Sequence, residues 1–240
     1  MFIRSMVGIG KFFKDYFLFR RLFRARHSLK ICLGDYLQQS GNAADEYFFQ
    51  DLYVAQKILR ANPSIHIDVG SRLNGFVAHV ASFREIIVYD IRSQHACVEN
   101  IKFISKDFTE TEQEVGVADS VSCLHALEHF GLGRYGDKIS PTAFDDGLKN
   151  LFNLVSFLGY LYLSVPIGIP KIVFNSHRVL DPLRIIRLSK AHGFELVDFA
   201  YYSDQSFTKS LEIESDIDRL SKCGYSLGIF TFRKLNEKNR

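Results

Sequence analysis

Apolar residues change their period along this chain, and the change divides it. Over the first thirty residues Phe12, Tyr16, Phe19 and Phe23 recur at helical spacing, while Lys11, Lys14, Arg20, Arg21 and Arg24 fall on other faces. That is the pattern of a basic amphipathic helix. A polar, glycine-containing break follows at Gln38–Asn42. Ala43 to Ala61 then reads as a second helix, with Tyr47, Phe48, Leu52, Ala55, Ile58 and Leu59 on its apolar face and Asn62-Pro63-Ser64 ending it.

Beyond Ser64 short apolar runs alternate with helical periods. Strands are predicted at Ile65–Val69, Ile86–Tyr89, Ile101–Ile104, Ser120–Leu124, Tyr160–Val165, Phe194–Tyr201 and Tyr225–Phe232. A helix is expected near Phe76–Ser82. Ser140-Pro141 pairs a capping residue with proline at the first helical position and predicts a helix to about Phe157. Asp181-Pro182 repeats the device for a helix to His192, stopped by Gly193. The last two strands are separated only by a polar, acid-containing stretch, expected as a loop. The pattern therefore predicts an α/β fold: a Rossmann-like, seven-stranded, mostly parallel sheet with an antiparallel C-terminal hairpin, helices on both faces and extra N-terminal helices. Two regions are expected, a basic aromatic helical segment over residues 1–42 and an α/β domain over 43–240.

Composition narrows the classes. With 47% hydrophobic and 24% charged residues this is an ordinary globular sequence. Its net charge of +3 and the lack of a basic stripe through the α/β region give no reason to expect a nucleic-acid partner. The four cysteines, Cys32, Cys97, Cys123 and Cys223, form no Cys-x-x-Cys pair, so neither a zinc site nor a disulfide framework is predicted and a cytoplasmic setting is expected. No secretory signal is read at the N-terminus, where Arg4, Lys11, Lys14 and Asp15 interrupt the apolar runs. The uncharged stretch between Lys149 and Lys171 is broken by Gly159, Pro166, Gly168 and Pro170, which excludes a spanning helix. The basic N-terminal helix has two readings: peripheral contact with an anionic inner-membrane surface, or an aromatic stripe packed on the domain or a partner chain.

Candidate chemistry centres on His66–Asp90. A strand ending near Asp68, a turn at Gly70, a helix and a strand ending in Asp90 make a nucleotide-binding half, whose turn presents backbone N–H groups and whose acid accepts bonds from ribose hydroxyls. Gly-x-Gly-x-x-Gly is missing after the first strand, which argues against a nicotinamide dehydrogenase. His125, His129 and His177 fall after strands, where ligands bind in open α/β sheets, and imidazole can exchange a proton near neutrality. His177 is the preferred base because Asn175 and Arg178 stand beside it; the alternative for each histidine is a structural hydrogen bond. His125 and His129 have the spacing of a zinc pair, but the acid adjoins the second histidine and no further ligand is marked, so no metal is expected. In the Gly131–Asp137 loop, Arg134 could hold a phosphate or carboxylate with Tyr135 beside it, or Arg134 and Asp137 could simply pair.

The run of motifs resembles the class I S-adenosylmethionine-dependent methyltransferases from about Ile65 to Arg233. His66-Ile67-Asp68-Val69-Gly70 looks like their first motif, Val88-Tyr89-Asp90 the second and Ser105-Lys106-Asp107-Phe108 the third. Asp119 to His129 is similar to the fourth strand with its Leu-Glu-His ending, and Gly159 to Pro166 to the fifth. Glu128-His129-Phe130-Gly131-Leu132-Gly133-Arg134-Tyr135-Gly136-Asp137, with Val165 to Gly168 and Phe174 to Arg178, resembles more closely a methyltransferase-like domain-of-unknown-function family. The resemblance implies S-adenosyl-L-methionine as cofactor, held by Asp68, Gly70, Asp90, Asp107 and His125. On position in such a fold, His177 and His129 are expected as catalytic residues and Arg134, Tyr135, Asn175 and Arg178 around the acceptor, while the closer resemblance implies a small-molecule or glycan substrate, such as a surface-polysaccharide precursor. One departure stands out: Arg72 and Asn74 occupy positions where that superfamily carries glycines, and Gly75 is displaced by one. A catalytically silent, methyltransferase-like binding module is the alternative that this departure favours.

Overall fold

A computed structural model describes residues 2–33, 45–95, 97–109 and 115–235, with side chains from residue 8 onward. It forms two units, Met1–Ala43 and Ala44–Arg240. The first contains helix α1, Phe2–Leu22. Residues after it double back along it, so that His27 meets the rings of Tyr16 and Phe19 at 6.2 and 5.1 Å. The break expected at Gln38–Asn42 and the first residues of the second predicted helix lie outside the described residues.

The second unit opens with α2, Glu46–Ala61, capped where Phe48 N–H donates to Asp45 Oδ1 at 2.8 Å and ended by Asn62 in the left-handed region. Strands β1 (His66–Val69), β2 (Ile86–Asp90), β3 (Ile101–Ser105), β4 (Ala118–Leu124) and β5 (Val155–Ile167) run parallel. Between β1 and β2 a π-type turn, Leu73–Val77, leads into the short helix α3, Ala78–Ala81. Helix α4 is Ala143–Leu154 and α5 is Pro182–Ala191, the latter started by Asp181, whose side chain accepts from Leu183 N–H. A small separate hairpin joins β6 (Lys171–Val173) to β7 (His177–Val179). The chain closes with β8 (Phe194–Ser203), β9 (Ser206–Lys209), helix α6 (Ile213–Ser221) and β10 (Ser226–Lys234).

The main sheet has eight strands in the order β3-β2-β1-β4-β5-β10-β8-β9, with β10 antiparallel to both β5 and β8. Helices cover both faces. Leu151 and Phe152 of α4 pack with Leu163, Phe199 and Phe230 on one side; Val54 and Ile58 of α2 pack with Val77, Val80 and Val88 on the other. Because β1 and β4 carry the chain to opposite sides of the sheet, a crevice opens between their carboxyl ends, the usual ligand position in such sheets.

Three expectations need correction. The helix expected from Ser140-Pro141 starts later, at Ala143 after Thr142, and ends at Leu154 rather than Phe157, because Val155 turns extended and pairs with Ala118, so β5 begins where helical periodicity still fits. The polar stretch between the last two strands holds α6, whose buried Ile217 and Leu220 are masked in sequence by Glu214, Asp216 and Asp218. Finally, β8 turns into an added edge strand, β9, so the sheet gains an eighth strand.

Candidate active site

The site grows from the carboxyl end of β1. Asp68 is completely buried; it accepts from Ser122 Oγ at 2.5 Å, from Ser71 Oγ at 2.7 Å and from Ser71 N–H at 3.0 Å. Burial pushes its pKa up to about 6 against the pull of those bonds. Asp68 thus ties the turn after β1 to β4 from beneath. Gly70 turns the chain at φ +78°, and a Cβ there would lie 2.8 Å from the Ala126 Cβ. Left-handed geometry and close packing together require glycine. Glycines are not required at the next two positions: Asn74 has φ −84°, and Arg72 lays its guanidinium over the Tyr47 ring at 5.5 Å. The close approach occurs at Gly75 instead, where a side chain would run into the carboxylate of Asp51.

At the end of β2, Asp90 is engaged by one neighbour. Arg92 donates to Oδ1 from its backbone N–H and Nε, both at 2.8 Å, and to Oδ2 from Nη2 at 2.5 Å. The Arg92 guanidinium also lies 4.6 Å from the centre of the Tyr135 ring, and that of Arg134 lies 5.2 Å from it. After β3, Asp107 Oδ1 accepts from the N–H and Oγ1 of Thr109 and fixes the turn that carries Phe108.

The end of β4 carries the densest charge. His125 sits in the left-handed region at φ 52°. Its Nδ1 donates to Glu128 Oε1 at 2.6 Å, its Nε2 lies 3.3 Å from Glu46 Oε1, and its ring packs 4.7 Å from that of Tyr47. Burial opposes the charge on His125, but the carboxylates of Glu128 and Glu46 outweigh it and raise the pKa to about 9. Burial likewise opposes the charge on Glu46, yet His125 and the Tyr225 hydroxyl hold it below the ordinary carboxylate value. Glu128 is wholly buried, and its Oε2 has no hydrogen-bond partner among the described residues. His129 differs: Nδ1 donates to Ser176 O at 2.5 Å, and burial, only partly offset by Glu128, lowers its pKa. It is therefore neutral near pH 7, with Nε2 left as its basic atom.

These elements surround an open cavity lined by residues including Gly70, Asp90, Asp107, Phe108, His125, His129 and Tyr135. Of the residues expected at the site, those named here except Phe108 were read from the sequence. The others stand elsewhere. Asp68 supports the floor without lining the cavity. His177 bonds Ser176 Oγ through Nδ1 at 2.8 Å and meets the Tyr225 ring edge-on, outside the cavity wall. Asn175 supplies the left-handed residue of the β6–β7 turn at φ 54°. Arg178 is buried and donates from Nη1 to Phe130 O at 2.5 Å and Glu128 O at 3.3 Å, which makes it a pin for the Leu127–His129 turn. Arg134 is exposed and donates to Ser176 O at 3.2 Å. Asp137 does line the cavity, and it accepts from the backbone N–H groups of Gly133 and Tyr135 within its own loop rather than pairing with Arg134. Among the described residues no group of three or more His, Cys, Asp or Glu is arranged to hold a metal ion.

Sequence reading missed the contribution of α2, which brings Tyr47, Gln50 and Asp51 to the cavity. The signal was there: Gln50 and Asp51 are polar residues on a helix otherwise read by its apolar stripe, and both are buried. Arg92 was missed too, although a basic residue two positions after the acid that ends β2 is placed to reach it.

Residues 77–235 match the family described as "Caenorhabditis protein of unknown function, DUF268". This is well over half of the chain, which belongs to that family. No curated protein matches its sequence. Among solved structures the chain is similar to the 1,6-didemethyltoxoflavin-N1-methyltransferase of Burkholderia thailandensis with bound S-adenosylhomocysteine, at 18% identity and a TM-score of 0.53 over 78% of this chain and 79% of that one. It is similar also to the N-methyltransferase NodS of Bradyrhizobium japonicum in complex with S-adenosyl-l-homocysteine, at 12% identity and a TM-score of 0.55 over 80% and 89%. A third likeness, to the [4+2]-cyclase SpnF, has 11% identity and a TM-score of 0.55 over 82% and 86%. The shared feature is the class I methyltransferase fold, on which different chemistries sit.

Proposed function

We propose that this DUF268 chain is an S-adenosylmethionine-dependent methyltransferase acting on a small hydroxylated molecule, with a sugar or surface-polysaccharide precursor as the substrate class. One observation carries the reading: Gly70, Asp90, Asp107 and Phe108, from three successive strand ends, converge on one cavity. The fit is supported by the cradle at Gly70, which a Cβ would fill, and by a donor and acceptor set suited to an adenosyl group. Asp90 would accept from the ribose hydroxyls, and Asp107 with Phe108 would face the adenine. When bound, the cofactor supplies a methyl group already activated on a sulfonium.

The chain's own residues then have to align the acceptor and remove its proton. In this reading the acceptor lies against Tyr47, His129 and Tyr135. His129 Nε2 takes the proton, because Nδ1 is committed to Ser176 O and the lowered pKa keeps the ring neutral. Glu128, 3.6 Å from Nε2, then stabilises the imidazolium. His177 and Arg178 act as positioning residues behind this wall, and Arg134 offers a cation at its rim for an acidic or phosphorylated sugar.

Calorimetry with the cofactor and with S-adenosylhomocysteine tests the first half, and no heat from the intact chain at millimolar ligand would sink it. Transfer of labelled methyl groups into nucleotide-sugar and polysaccharide fractions tests the second. His129→Asn should abolish that transfer while keeping cofactor binding. A catalytically silent binding module is the second reading, favoured by the engagement of both Asp90 oxygens by Arg92. Cofactor binding without any transfer would support it.

A further inference from the structure

The charge of this chain is concentrated at one end. Residues 1–33 hold eight basic side chains against one acid, Asp15, and Asp15 is paired with Lys11. With a net charge of only +3 overall, the remaining chain is net acidic. The basic end is also the aromatic one, and its structure changes which face is open. The stripe at Phe12, Tyr16 and Phe19 is half-buried under residues of the same segment: His27 packs on Tyr16 and Phe19, and a Cβ at Gly8 would run into the Leu33 backbone.

A different face stays open. Ile9, Phe13 and Phe17 follow one another at four-residue spacing along α1, and Phe13 and Phe17 are 54% and 70% exposed. Arg20 continues that row one turn on, Lys14 and Arg21 flank it, and Arg24 and Arg26 follow the helix, all exposed. Two adjacent large aromatic rings in water, bordered by cations and by no unpaired acid, match an interface that is apolar beneath and negatively charged at its surface. A protein groove would satisfy the rings but would need its own acidic rim. An anionic bilayer supplies both at once. Among the described residues no helix is long and apolar enough to cross a membrane, so the contact would be peripheral.

We infer that the Ile9–Phe13–Phe17 face of α1 lies on an anionic lipid surface, with Phe13 and Phe17 inserted and the flanking arginines on the headgroups. This inference stands apart from the methyltransferase reading, since none of its residues lines the cavity. Flotation of the full chain with phosphatidylcholine vesicles, with and without about 30 mol% phosphatidylserine, tests it. Binding at least about tenfold tighter to the anionic vesicles is expected, with loss between about 0.15 and about 1 M salt. Phe13→Ser/Phe17→Ser and Arg20→Glu/Arg21→Glu should each weaken binding about tenfold or more while circular dichroism and thermal melting of the α/β unit stay unchanged. Equal binding to both vesicle types, no binding to either, or full binding by both variants would overturn the inference. Self-association abolished by the Phe pair, without vesicle binding, would assign the face to a second copy and also overturn it.

Discussion

Arg92 engages both carboxylate oxygens of Asp90, with Nε–Oδ1 at 2.8 Å and Nη2–Oδ2 at 2.5 Å, and rests its guanidinium on Tyr135. The acid expected to receive a ribose is thus bonded to a residue from its own strand end, and the cation bonding it is stacked on the glycine-rich loop across the cavity. Arg92 already makes three bonds to this carboxylate, so a ribose that bonds it through both hydroxyls must displace Arg92 in part, and displacement must disturb Tyr135.

Removing Arg92 should therefore tighten cofactor binding. Its side chain is about half exposed, so the pair is partly screened and the expected gain for Arg92→Ala is modest, roughly three- to tenfold in Kd. Asp90→Ala should lose binding. Calorimetry with S-adenosylhomocysteine on both variants checks the pair; weaker binding by Arg92→Ala would mean that Arg92 holds the ligand itself.

His125 makes stability fall in alkali. Its folded pKa of about 9 exceeds the ordinary 6.5 of imidazole. The folded state therefore holds an extra proton between those values. The stabilisation is complete below about pH 6.5 and disappears as pH rises through about 9. It amounts to on the order of 3 kcal/mol. Urea denaturation at about pH 7 and about pH 10 should show the loss, and Glu128→Gln should be less stable at the lower pH with a smaller further fall.

Gly70→Ala should damage fold and site together. It places a Cβ at φ +78° and 2.8 Å from Ala126. About 1–2 kcal/mol of destabilisation is expected from the backbone alone, with a larger effect on cofactor affinity because Ala126 also lines the cavity. Gly136→Ala, where a Cβ meets nothing within 4 Å although φ is +89°, separates the two: it should cost stability without the steric clash.

Arg178→Met should cost roughly 2–3 kcal/mol in chemical denaturation, because the buried carbonyls of Glu128 and Phe130 lose a charged donor. His129 lies between them, so methyl transfer should fall even at temperatures where the variant is folded. Arg178→Lys should restore little, since an ammonium cannot reproduce the guanidinium's geometry.

Some of this site was legible because its chemistry is local. A strand, a glycine turn and an acid at the next strand end follow one another in sequence, so Gly70 and Asp90 could be placed at one cavity without coordinates. His125 and His129 followed from their place after β4. What could not be read was orientation. The sequence favoured His177 over His129 as base, yet the β6–β7 turn faces His129 with a carbonyl and leaves His177 against Tyr225, outside the cavity wall. The N-terminal helix shows the same limit: period identified its aromatic stripe, but the chain's return path half-buries Phe12, Tyr16 and Phe19 of that stripe and leaves Phe13 and Phe17 open.

The sequence by itself determined the run of strands and helices from β1 to β5 and the residues at those strand ends, because period and turn chemistry act over a few neighbouring positions; it did not show α6 or the short strands β6, β7 and β9. Tertiary structure alone decided that Arg92 bonds Asp90, that Arg178 pins a turn 48 residues away and that α2 brings Glu46 to His125. Those outcomes depend on distances between segments far apart in the chain. They are fixed by how helices seat on the two faces of the sheet, which no local pattern encodes.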